Sequence, residues 1–282
     1  MIPPVVDVQW LAAHPEARIV DVRWYLDGRS GRDAWCAGHL PGASFVDLDA
    51  VLAAPASHEG GRHPLPEPET FAAGMRAAGI GDDSVVVAYD DAGGASASRL
   101  VWLLRICDVD AAVLDGGLAA WPGELEAGAV HAPAATFTPR PWDPAALATI
   151  DDAATGPLVL DARAAERYRG DDERLDARAG HIPGAVNLPY AGNLAPDGSF
   201  LAPDELARRF AEHGITDALD VVVYCGSGVT ACHDLIALEH AGLGRARLYP
   251  GSWSQYAATD RPIATGPEPG SHPGVDALGR NL

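Results

Sequence analysis

The sequence predicts an α/β protein made of two tandem copies of one domain, each a mostly parallel sheet with helices on both faces. Three observations support this. The chain has 282 residues, 48% hydrophobic and 21% charged, a globular balance with room for two domains of ordinary size. Four segments recur in the same order along the two halves. Within each half, short apolar β-rich runs alternate with helical stretches, the pattern of parallel strands covered on both faces.

The elements follow in order. In the first half IVDVR (19–23) precedes GHLPGASFVDLD (38–49), VVVAYDDAGG (85–94) and LDGGLAAW (114–121). In the second half LVLDAR (158–163) precedes GHIPGAVNLP (180–189), VVVYCGSGVT (221–230) and YPGSWSQY (249–256). Aligned through Tyr89 and Tyr224, the last two pairs keep one offset, so the repeat is a duplicated domain. LVLDA, AVNLP, VVVYC and ARLYP read as strands of the second copy; PDELARRFAEHG (203–214) and TACHDLIALEHAG (230–242) read as its helices. The proline-rich HAPAATFTPRPWDP (131–144) breaks the pattern and is the expected linker. The expected domains are therefore residues 1–130 and 145–282, and a Pro- and Gly-rich tail from Pro262 is expected to lie extended on the surface.

Composition excludes several function classes. No stretch reaches the roughly 18–20 apolar residues a membrane span needs. The opening MIPPVVDVQW lacks a basic region ahead of an apolar core, so no secretory signal is expected and the cytosol is the expected compartment. The formal net charge of −19 argues against a nucleic-acid partner, while leaving room for a small anion held by local arginines. Cys36, Cys107, Cys225 and Cys232 form no CxxC pair and no metal-ligand spacing; free thiols are expected, and no metal.

Cys225 differs from the other three. It ends an apolar strand and opens the glycine-rich turn CGSGVT ahead of a helical pattern, where α/β sheets place their sites. Glycines at 226 and 228 let several amides face one point, and the following helix directs its free N–H groups there. Such a cradle stabilises a thiolate and any anion carried on its sulfur. A strand-end cysteine can also be plain packing, which is the reading for Cys36, Cys107 and Cys232. Against it for Cys225 stands the first copy, which has Asp90 in the same place and so needs no thiol there. A phosphatase would require an arginine six residues beyond the cysteine; residue 231 is alanine.

Two tandem copies, HLPGA and HIPGA, LDGG, an Asp replacing the Cys in the first copy, and CGSGVTA together resemble the two-domain rhodanese-type sulfurtransferases over nearly the whole chain. The loop is similar to that of the 3-mercaptopyruvate branch; thiosulfate-using relatives carry basic residues where this chain has Gly226 and Ser227. The resemblance implies that Cys225 takes sulfur as a persulfide, held by Gly226, Gly228, Val229 and Thr230, and releases pyruvate without a metal or organic cofactor. It implies two arginines upstream of GHIPG for the donor carboxylate: Arg167, and Arg174 with Arg178 as its rival. It also implies a proton relay of Ser227, His63 and Asp49. The implied partners are a small anionic sulfur donor and a thiol, thioredoxin-like protein or cyanide as acceptor. Thiosulfate as donor is the alternative, and a non-catalytic sulfur-carrier or regulatory module is the alternative of another class. His39 and His181 occur in both copies and read as turn-closing residues.

Overall fold

The computed structural model describes residues 1–271, which fall into two compact units. Unit 1 comprises Met1–Ala54, Leu65–Asp143 and Leu194–Leu201; unit 2 comprises Pro55–Pro64, Pro144–Asn193 and the chain from Ala202. The short segment 55–64 thus belongs with the second copy although it lies in the first half of the sequence.

In unit 1, strands β1 (Val5–Val6), β2 (Arg18–Asp21), β3 (Ser44–Phe45), β4 (Val85–Tyr89) and β5 (Asp110–Leu114) form one parallel sheet in the order β1-β5-β4-β2-β3. Helices α1 (Val8–Ala13), α2 (Gly31–Ala37), α3 (Pro68–Ala77) and α4 (Ala97–Ile106) connect and flank it. Alternation gives each strand two buried faces. Val87, Tyr89, Ala112 and Leu114 pack with Leu11 of α1, while α4 packs on β4 and β5.

Unit 2 repeats the plan. Strands β6 (Leu158–Asp161), β7 (Val186–Asn187), β8 (Val221–Tyr224) and β9 (Arg247–Leu248) are parallel in the order β7-β6-β8-β9, and helices α5 (Ile150–Thr155), α6 (Ala165–Arg169), α7 (Pro203–Ala211), α8 (Ala231–His240) and α9 (Ser252–Tyr256) accompany them. The counterpart of β1 shrinks to a single parallel bridge from Leu147 to Leu248. Each strand and helix expected for this copy is present, with ends trimmed by a residue or more.

Both copies brace the central strand with the same side chains. The Asp21 carboxylate takes the Arg23 guanidinium at 2.7 Å and Asp161 takes Arg163 at 2.5 Å, and each arginine also donates to a carbonyl, of Gly38 or of Gly180. The tyrosine hydroxyl ending the strand, Tyr89 or Tyr224, accepts the N–H of Leu40 or Ile182. His39 and His181 serve structure, as expected: each is buried, stacks on Trp35 or Tyr168, and bonds that ring's backbone carbonyl through Nδ1 at 2.8 Å.

Two Pro-rich segments are more firmly held than their composition suggests. Phe137 is buried edge-on against Phe71, and Thr138 donates its N–H and hydroxyl to Asp82. At the other end, Ala264 pairs in both directions with His181, and the Pro269 carbonyl accepts the Gly184 N–H. The rest of the expected extended tail lies outside the described residues.

One buried carboxyl stands apart. Asp234 of α8 receives Asn193 Nδ2 at 2.6 Å through Oδ1, while Oδ2 has no hydrogen-bond partner. Arg209, bonded to Asn193 Oδ1, is the nearby cation that opposes burial. Burial wins and pushes Asp234 up to about 8. The unfolded chain loses this proton near the ordinary aspartate value of about 4, so the folded state binds the extra proton between about pH 4 and 8 and stability falls as pH rises through that window. Asp234→Asn is expected to flatten that slope, read as the denaturant midpoint at about pH 5 against about pH 8. An unchanged slope would assign it to another group.

Candidate active site

The site begins where β8 ends. Cys225 is 2% exposed, and its neighbours fix both sides of its backbone: Ser252 Oγ accepts the Cys225 N–H at 3.2 Å, and the Trp253 N–H donates to the Cys225 carbonyl at 2.9 Å. The chain then turns through Gly226–Thr230 into α8. Gly228 has φ +79°, a left-handed conformation that glycine tolerates best, and this aims its N–H at Cys225 Sγ, 3.1 Å away. Ser254 donates to the Gly226 carbonyl at 2.9 Å, and Cys232 Sγ donates to the Gly228 carbonyl at 3.4 Å, so the loop is tied on both flanks. Val229 is buried, and Thr230 stands at the N-cap position of α8 with no capping bond from its side chain.

Unit 1 shows what this turn can hold. Asp90 occupies the position of Cys225, and its carboxylate accepts four backbone N–H groups, from Ala92, Gly94, Ser96 and Ala97, at 2.8–2.9 Å. Burial pushes that carboxyl up, and the four amides oppose it. The strand-to-helix turn is therefore an anion cradle, filled from within in one copy and opening on a sulfur in the other.

Beside the cysteine, His63 Nδ1 and Ser227 Oγ lie 2.8 Å apart, both buried, with the donor set by the histidine tautomer. The segment carrying His63 is anchored by the Arg62 N–H to Ser254 Oγ at 2.9 Å and by Gln255 to the Glu59 carbonyl. Gly61 fits there because a Cβ would meet the Gly251 carbonyl at 2.5 Å. Asp49 belongs to unit 1, where Oδ2 accepts Trp24 Nε1–H at 2.9 Å.

The arginines divide differently from the sequence expectation. Arg167, on α6, sits at the loop: a Cβ built on Gly226 would lie 3.0 Å from its Nη1. Its Nη2 is held by Glu173 at 2.8 Å and Asp176 at 3.0 Å. Arg174 does not join it. Its side chain is 84% exposed and pairs with Asp172 in the loop after α6, because the backbone turns residues 173 and 176 inward and leaves 174 facing water. The rival Arg178 is also occupied elsewhere, donating to the carbonyls of Tyr256, Ala257, Thr259 and Arg261. The second guanidinium at the loop is Arg62, whose Nη2 is 3.0 Å from the same Gly226 Cβ position. Sequence reasoning passed over Arg62 although it precedes His63 in GGRHPLP. It also passed over Ser252, which holds a φ of +51° where the first copy has Gly117 at +55°; its hydroxyl, bonded to Cys225 and donating to Tyr249, offsets the strain.

No group of His, Cys, Asp and Glu among the described residues could hold a metal ion, and no described helix is long and apolar enough to cross a membrane.

With this geometry in view, comparisons with known proteins place the chain. The rhodanese-like domain matches residues 7–124 and again 144–259. This chain belongs to the rhodanese-like domain family, with two copies in tandem. A Pseudomonas aeruginosa protein is 42% identical over 283 residues, covering 93% of this chain and 98% of its own, and is provisionally named a 3-mercaptopyruvate sulfurtransferase. A Mycobacterium tuberculosis protein, 42% identical over 258 residues (88% of this chain, 90% of its own), is provisionally named a thiosulfate sulfurtransferase. The solved 3-mercaptopyruvate sulfurtransferase from Leishmania major superposes with a TM-score of 0.82 at 33% identity, covering 92% of this chain and 75% of that one.

The loop makes a sharp demand at Gly228. A Cβ there would lie 2.6 Å from the Pro250 carbonyl, on top of the positive φ. Gly228→Ala is expected to cost about 1–3 kcal/mol in denaturant unfolding and to slow alkylation of Cys225; wild-type behaviour in both would mean the turn does not hold the sulfur as described.

Proposed function

We propose that this chain is a sulfurtransferase that takes sulfur from 3-mercaptopyruvate on Cys225 and passes it to a thiol, a thioredoxin-like protein or cyanide. The observation that carries the reading is a cysteine sulfur set in a turn whose twin holds a carboxylate on four amides. Cys225 thiolate attacks the donor sulfur, an S–S bond forms and the C–S bond breaks. The electron pair leaves on the methylene carbon as pyruvate enolate, which takes up the proton that began on the donor thiol. The resulting persulfide anion rests on the loop amides of residues 226–230, as the Asp90 carboxylate rests on its own. Ser227 and His63, 2.8 Å apart, carry the proton between sulfur and carbon. Arg167 receives the donor carboxylate. The first copy, read from the sequence as residues 1–130, has no reacting thiol in its turn; the second, read as 145–282, is the reacting one, and the segment 55–64 that carries Arg62 and His63 belongs with it. The cytosol is the proposed compartment.

Thiosulfate is the second reading, favoured by one observation. The turn itself has no Lys or Arg, yet the guanidiniums of Arg62 and Arg167 flank Gly226, so cations stand beside the loop after all. Parallel kcat/KM measurements with the two donors decide between them: a clear excess for 3-mercaptopyruvate, with pyruvate release, supports the proposal, and the reverse assigns thiosulfate. Cys225→Ser is expected to abolish turnover with either donor. Residual turnover near the wild-type rate would remove Cys225 from the chemistry, and a wild-type protein inert to both donors would favour a sulfur-carrier module.

A further inference from the structure

Arg62 and Arg167 converge on a single point. Asp176, 3% exposed, divides its carboxylate between them: Oδ1 accepts Arg62 Nη1 at 2.6 Å and Oδ2 accepts Arg167 Nη2 at 3.0 Å. One buried acid thereby holds two cations side by side against their mutual repulsion, with Glu173 as second anchor on Arg167. The nitrogens left over, Arg62 Nη2 and Arg167 Nη1, each stand 3.0 Å from the position a Gly226 Cβ would take. They lie within the sum of those two distances of each other, beside Gly226, the residue that directly follows Cys225. Both arginine side chains are 24% exposed, so a small solute reaches them, and Arg62 and Asp176 also line an open cleft of about 370 Å³ on one side. Two guanidiniums tied to one carboxylate, each with a terminal nitrogen beside Gly226, suit the two oxygens of a carboxylate from a small donor.

We propose that Arg62 and Arg167 form a two-guanidinium clamp for the donor's anionic group, that Asp176 is its positioning residue, and that Arg62 takes the role the sequence suggested for Arg174. Because Arg62 is adjacent to His63, the segment that meets the donor's charge also carries the proton-handling side chain. Gly226 is then required for space as well as for turn geometry, since any side chain there would enter the clamp. This inference rests on the sulfurtransferase reading for its substrate but is tested apart from sulfur transfer.

The test uses two alkylating agents, 3-bromopyruvate and its uncharged counterpart bromoacetone. With each, Cys225 thiolate forms an S–C bond and bromide leaves with the C–Br electron pair. Rates at Cys225, located by peptide mapping, are divided by the rates with a free thiol. Wild type is expected to favour 3-bromopyruvate, and Arg62→Ala and Arg167→Ala each to cut that preference about tenfold or more. Arg62→Lys should keep part of it and Arg174→Ala all of it. Taking the ratio of the two rates cancels any change in thiolate content, and a wild-type denaturant midpoint shows that a variant has kept its fold; where Arg62→Ala fails this control, the milder Arg62→Lys and Arg62→Gln are compared instead. A preference that survives loss of the Arg62 guanidinium, or is absent from wild type, overturns the clamp. If the preference follows the expected pattern yet neither sulfur donor is turned over, the clamp stands and the sulfur-transfer reading fails. Turnover with an Arg62-independent preference gives the opposite result.

Discussion

The site depends on one constraint, the inward-facing amides of the turn between the central strand and the next helix. A turn of this shape concentrates partial positive charge at one point and must be filled by an acceptor. The first copy fills it permanently with the Asp90 carboxylate on four N–H groups. The second places Cys225 there, with the Gly228 N–H on its sulfur. Substitution of one side chain in a duplicated fold separates a self-satisfied turn from one able to hold an incoming anion.

The surroundings of the second turn follow from that exchange. Ser252 accepts a left-handed backbone where its counterpart is Gly117 and uses its hydroxyl on the Cys225 N–H. Strain is thus tolerated next to the reactive group and offset by a hydrogen bond the first copy does not need. Cations accumulate at the same place but are balanced: Arg163 with Asp161, Arg167 with Glu173 and Asp176, Arg62 with Asp176. The net charge of −19 is thus no measure of the local field here, where guanidiniums stand beside the loop.

The fold was legible because its signals are local. Apolar runs, glycine turns and a repeated order of motifs place the strands, and the structure differs only at their ends. Cys225 stands out in the sequence through contrast with Asp90, and motifs matched to a known family single out Ser227 and His63, whose side chains meet in the structure. Arg62 was not, because its approach depends on residues 55–64 joining unit 2, a long-range fact that spacing does not carry. The outward position of Arg174 was hidden for a related reason: in RGDDERLD nothing in the sequence says that Glu173 and Asp176 turn inward while Arg174 faces water. The Asp161–Arg163 pair was visible only as part of the repeat, since burial alone reveals its role as a brace.

The central claim is that Cys225 alone carries the transferred sulfur. Intact-mass and peptide mass spectrometry after exposure to 3-mercaptopyruvate, with no acceptor present, tests it most directly. The account predicts one added sulfur atom per chain, on the peptide containing Cys225, accompanied by an equal amount of pyruvate and removed on adding a thiol. Sulfur located on Cys36, Cys107 or Cys232 instead, or pyruvate released with no sulfur on Cys225, would contradict it.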